Sequence, residues 1–78
     1  MGVLVELVKC AEGGYAAFVL SLPKCAAQGK TKEEVLKNVE GVITAMVKSF
    51  GGFNKTPWKS NYQRRPDREY EVIEFYGP

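Results

Sequence analysis

Thr31-Lys32-Glu33-Glu34-Val35-Leu36-Lys37-Asn38-Val39-Glu40-Gly41-Val42-Ile43-Thr44-Ala45-Met46-Val47-Lys48-Ser49-Phe50-Gly51-Gly52 carries the clearest structural signal in the chain. Val35, Leu36, Val39, Val42, Ile43, Met46, Val47 and Phe50 recur with the 3.6-residue period of one helical face. Lys32, Glu33, Lys37, Asn38, Glu40, Thr44 and Lys48 fall on the opposite face. Thr31 and Glu34 form a capping box, in which the Thr31 hydroxyl takes the Glu34 amide and the Glu34 side chain reaches back. Gly51-Gly52 supplies the stop. Gly41 sits mid-helix at a cost of about 1 kcal/mol against alanine. It either permits close packing or is unoptimised. The spacing thus predicts one long helix with a single apolar face, and that face needs a sheet.

The flanks provide the sheet. Val3-Leu4-Val5-Glu6-Leu7-Val8-Lys9 is rich in β-branched residues and reads as a strand. Glu12-Gly13-Gly14 is a tight turn. Tyr15 to Leu20 forms the second strand of a hairpin, interrupted at Pro23, which cannot donate to a ladder. Cys25-Ala26-Ala27-Gln28 is a short third strand. Beyond the helix, Glu69 to Tyr76 reads as the last strand. The expected architecture is α+β in the order β-β-β-α-β: a four-stranded sheet with one long helix on one face, in a single domain over residues 1–78. A fourth strand parallel to its neighbour would require a right-handed crossover.

Length and composition narrow the function. At 78 residues the chain has room for one core. A domain this small buries only about 60% of its unfolded surface, which keeps its stability modest. No apolar run reaches the ~20 residues of a spanning helix, so no membrane role is expected. The start, Met1 to Glu6, lacks the basic and long apolar regions of a secretory signal. Cys10 and Cys25 are too few for a small secreted scaffold and read as free thiols in a reducing cytoplasm. The net charge of +2 is too small to argue for nucleic acid on its own.

Catalytic groups are scarce. Histidine is absent, which removes the commonest general base and metal ligand. The two cysteines have no histidine to activate them and no zinc spacing. Glu6 is the one strand carboxylate with a nuclease flavour, and Glu71 or Glu74 would have to join it at a metal. Neither glycine pair is followed by Lys-Ser/Thr, so no phosphate loop exists. We therefore expect no enzyme, no cofactor, no metal and no catalytic residue.

Binding has better support. One helix covers one sheet face, yet the strands are apolar on both. Val3, Val5 and Leu7 oppose Leu4 and Val8. Tyr15, Ala17 and Val19 oppose Ala16, Phe18 and Leu20. Ile73 and Phe75 oppose Tyr70, Val72 and Tyr76. An exposed apolar face marks an interaction surface, and Tyr15, Phe18, Tyr70, Val72 and Tyr76 are the expected contacts for self-association or a partner. The alternative cover is the aperiodic segment 52–68, folded back with Trp58 as its anchor. That segment also gathers Lys55, Lys59, Arg64, Arg65 and Arg68 with Trp58 and Tyr62 interleaved; of these, Lys55, Trp58, Arg64, Arg65 and Arg68 form a basic and aromatic set that could meet single-stranded nucleic acid. A solvated loop with Trp58 in the core is the favoured reading of this set.

Gly14-Tyr15, Leu22-Pro23-Lys24-Cys25, Gln28-Gly29-Lys30-Thr31, Glu33-Glu34 and Asn38 together resemble the HicB antitoxin family. The family pattern has glycine where this chain has Lys24, aspartate where it has Lys30, and Ala-Leu where it has Val35-Leu36. The resemblance covers about a third of the chain by motif and most of it by element order. It implies a partial ribonuclease-H-like fold without that enzyme's carboxylates. It also implies a cytoplasmic antitoxin that forms dimers or tetramers and blocks HicA, a small ribonuclease toxin. Many members carry a further DNA-binding domain. With Pro78 as the last residue, DNA binding is not expected of this chain. RNA binding through residues 55–68 is the alternative.

Overall fold

The computed structural model describes residues 2–75. Its elements are β1 (Gly2–Lys9), β2 (Tyr15–Val19), β3 (Ala26–Gly29), α1 (Lys32–Phe50), a single 3₁₀ turn (Phe53–Lys55) and β4 (Glu69–Glu74). The strands form one antiparallel sheet in the order β3-β2-β1-β4. The α+β architecture and the element order are those expected from the sequence. The fourth strand pairs antiparallel with β1, so the handedness rule for parallel crossovers does not apply.

Helix α1 begins and ends where its sequence dictates. The Glu34 N–H donates to Thr31 Oγ1 at 3.1 Å. The Glu34 carboxylate accepts from the Lys30 N–H at 3.2 Å, one residue before the cap itself. At the far end Gly51 adopts φ 94°, the Gly51 N–H donates to the Lys48 carbonyl and the Gly52 N–H donates to the Val47 carbonyl. This is a Schellman closure, which satisfies two carbonyls the helix would otherwise leave open.

The core lies between α1 and one face of the sheet. Val35, Val39, Ile43 and Val47 from the helix meet Val3, Val5, Leu7, Ala17 and Val19 from the strands, with Leu22 and Cys25 from the connection between β2 and β3. Leu36, Val42 and Met46 are half-buried along the margins of this stripe. Phe50 lies on the same stripe by period yet is exposed. Two ties hold the helix to β3. A Cβ at Gly29 would sit 2.5 Å from the Val35 nitrogen, so only glycine admits this approach. Asn38 Nδ2 donates to the Gln28 carbonyl at 2.8 Å.

Segment 52–68 begins as a compact knot. The Thr56 hydroxyl donates to the Gly52 carbonyl and the Trp58 indole N–H donates to the Phe53 carbonyl. Phe53 stacks on Trp58 with centroids 6.1 Å apart and also meets Phe75 at 5.6 Å. These aromatic rings extend the core on the helix side. Trp58 is therefore not the anchor of a cover over the second face. It belongs to the first.

Candidate functional site

The second face of the sheet can be read from the register. Strand alternation sends Leu4, Glu6 and Val8 away from the helix. The pairings Glu6↔Phe18, Val8↔Ala16, Leu4↔Val72 and Glu6↔Tyr70 complete the rows, with Ala26 of β3 beside Phe18. Phe18 is 42% exposed and Val72 57% exposed. Leu4, Val8 and Leu20 are half-buried and Ala16 is buried. The result is an apolar surface with one polar pair, Glu6 and Tyr70, at its centre.

That pair is joined directly. The Tyr70 hydroxyl donates to Glu6 Oε2 at 2.9 Å. The same hydroxyl accepts the Arg65 N–H, and the Arg64 guanidinium lies over the Tyr70 ring, 5.1 Å from its centre. The chain after Trp58 thus turns onto the second face. Its path is fixed upstream by the Lys59 N–H, which donates to the Ser21 carbonyl at 2.7 Å. Between this segment and the sheet runs a cleft of about 450 Å³, lined by Glu6, Val8, Phe18, Leu20, Gln63, Arg65 and Arg68. Part of the expected backfolding does occur, but arginines and a glutamine make the contact where the sequence suggested Trp58.

Of the five residues expected on this face, Phe18, Tyr70 and Val72 lie there. Tyr15 does not. It shares the parity of Ala17 and Val19, pairs with Lys9 and Gly29, and packs against the core on the helix side. The Lys32 ammonium sits 5.9 Å from its ring centre. Period-two alternation places Tyr15 and Phe18 on opposite faces, so one patch cannot hold both. Tyr76 lies outside the described residues.

The basic and aromatic set is also divided. Trp58 is stacked on Phe53 on the helix side, and Lys55 ends the 3₁₀ turn. Arg64, Arg65 and Arg68 gather at Tyr70 and the cleft on the other side. Sequence reading missed the role of Phe53, which ties Trp58 to Phe75. It also missed the bond between Glu6 and Tyr70, whose partners are 64 positions apart. No local pattern signals either contact.

The carboxylates do not converge. Glu71 pairs with Val5 and so lies on the helix-side face, opposite to Glu6. Glu74 pairs with Gly2, four residues along β1 from Glu6, a distance of about 13 Å. Among the described residues no group of three His, Cys, Asp or Glu is placed to hold a metal. Nor is any described helix long and apolar enough to cross a membrane. Both cysteines are free, and burial pushes the Cys25 thiol above its ordinary value. Lys32 is bonded to Glu69 at 2.6 Å, and that hydrogen bond and charge raise the lysine.

No protein-family model matches the chain, and no solved structure matches it. A curated relative is similar: the UPF0150 protein Ta0767 of Thermoplasma acidophilum is 39% identical over 51 residues, which span 65% of this chain and 74% of that protein.

Proposed function

Since this chain belongs to the UPF0150 family, a HicB-like family, we propose that it is a non-catalytic binding module of the HicB antitoxin type. It associates with itself through the open sheet face and binds and neutralises a small HicA-type ribonuclease. The observation that carries this reading is the second apolar face, with Phe18 and Val72 exposed beside half-buried Leu4, Val8 and Leu20. A soluble chain keeps such a patch when something covers it. The residues behind the HicB resemblance support the family assignment in a different way. Leu22 and Cys25 are buried, Gly29 admits the helix and Asn38 ties it to β3, so those motifs build the scaffold and leave the partner to the face.

The alternative of RNA binding by Lys55, Trp58, Arg64, Arg65 and Arg68 has less support. Base stacking needs a free aromatic face next to the cations; Trp58 is stacked on Phe53 away from the arginines, which leaves the exposed Tyr62 alone to supply it.

The test is capture. The tagged chain is co-expressed with the product of its neighbouring gene, and RNA cleavage is assayed with and without it. The proposal expects co-purification of a small basic ribonuclease and loss of its activity. It also expects Phe18→Lys with Val72→Lys to abolish capture. A neighbour of another kind, with pull-downs returning only the chain itself, removes the toxin link. RNA binding that is salt-sensitive and lost in Arg64→Ala/Arg65→Ala would favour the alternative.

A further inference from the structure

The chain from Lys59 to Arg65 is tied down at its two ends. At one end the Lys59 N–H donates to the Ser21 carbonyl. At the other, Tyr70 takes the Arg65 N–H on its hydroxyl and the Arg64 guanidinium on its ring. Among the described residues, no backbone-to-backbone hydrogen bond involves residues 60–64. A segment held this way opens at low free energy compared with the sheet beneath it. Its side chains are also mismatched with what they cover. The floor of the cleft is Val8, Phe18 and Leu20 with the single carboxylate of Glu6, while the segment contributes Gln63 and Arg65. A permanent cover would bring apolar side chains to such a floor and would leave no cleft.

We propose that residues 59–65 form a releasable strap, latched by Tyr70, that controls access to Val8 and Leu20 beside Phe18 on the open face. The inference rests on that face being the binding surface. With the strap closed, Val72 and Phe18 are exposed while Val8 and Leu20 beside Phe18 are half-buried. With the strap released, the exposed apolar area runs on through Phe18 to Val8 and Leu20. A partner that needs the whole face binds only the released fraction, so its apparent affinity falls by that fraction. Tyr70 is the natural latch because one hydroxyl serves both sides: it receives the strap and donates to Glu6 of the sheet.

The test uses the full chain without any partner. Amide hydrogen exchange at Arg65 and binding of the dye ANS are compared for the wild type, Tyr70→Phe and Arg64→Ala. Tyr70→Phe removes the hydroxyl and both its hydrogen bonds while keeping the ring. Exchange at Arg65 should rise about fivefold or more, the opening ratio expected for one lost hydrogen bond. Exchange at Val39 and Ile43 in α1 should stay unchanged, and dye binding should increase. Arg64→Ala should move both readouts in the same direction. Unchanged exchange at Arg65 overturns the strap, as does equal acceleration at Val39 and Ile43, which marks general destabilisation. Faster exchange without added dye binding also overturns it, because the strap would then guard nothing. A strap that opens as described in a chain that captures no ribonuclease keeps this inference and rejects the toxin reading, so the two failures are distinct.

Discussion

Lys24 holds a backbone φ of 66° between buried Leu22 and buried Cys25. Side chains with a Cβ are disfavoured there by about 1–2 kcal/mol, and the HicB-type pattern has glycine at this position. The resemblance was legible in the sequence, as was the departure from it, whereas the strain behind the departure needed the backbone. Glycine gives back part of the gain through its freer unfolded chain, so Lys24→Gly should stabilise by about 0.5–1 kcal/mol in urea unfolding. The cysteines differ in the same local way. Burial raises the Cys25 thiol above its ordinary 9.0, and Glu69 raises Lys32 above its ordinary 10.5. In both cases the folded chain holds the proton more tightly than the unfolded chain does. The stability linked to each group is fully present below its ordinary value and is lost as pH rises through the folded one. Unfolding free energy should therefore be insensitive to these two groups at neutral pH and decline once pH passes 9.0, with Lys32 adding little because it is exposed. At mildly alkaline pH a thiol reagent should modify Cys10 rapidly and Cys25 only as fast as the chain opens. Equal rates at the two thiols would contradict the burial of Cys25.

At the scale of elements, α1 was readable from its first residue to its last. Its cap, its apolar stripe and its glycine stop are all local signals, and the structure departs from them only in that the Glu34 carboxylate takes the Lys30 N–H and Phe50 is exposed. The one local ambiguity was Gly41. An added Cβ there meets nothing within 4 Å, so the position is not reserved for close packing within the chain. Gly41→Ala should raise stability by about 1 kcal/mol through helix propensity alone, and calorimetry or urea unfolding would show it as a higher midpoint. A lower midpoint would mean that the helix face around residue 41 carries a contact absent from the isolated chain. Segment 52–68 was the least legible part. Its structure depends on Phe53 meeting Phe75, Lys59 meeting Ser21 and Arg65 meeting Tyr70, all of them contacts between separate elements. Trp58 shows how this misleads: its size marks it as an anchor, but nothing in its neighbourhood says which face it anchors.

At the scale of the whole molecule, the two-sided apolar patterning of the strands was the most informative feature of the sequence. It predicted a face that one helix could not cover, and the structure leaves Phe18 and Val72 exposed on that face. The membership of the face was less legible. Alternation alone removes Tyr15, yet an aromatic residue beside Phe18 in sequence is easily grouped with it. The segment after Trp58 also brings Gln63 and Arg65 to the cleft that Val8, Phe18 and Leu20 line. The proposed binding role stands or falls with this surface. Sedimentation equilibrium of the wild type and of Phe18→Lys/Val72→Lys, with circular dichroism to confirm that both are folded, tests it most directly. The account predicts a wild-type mass that is a multiple of 8.7 kDa and a variant that sediments as the 8.7 kDa monomer. A folded variant that keeps the wild-type assembly, or a wild type that remains monomeric at high concentration, would contradict it.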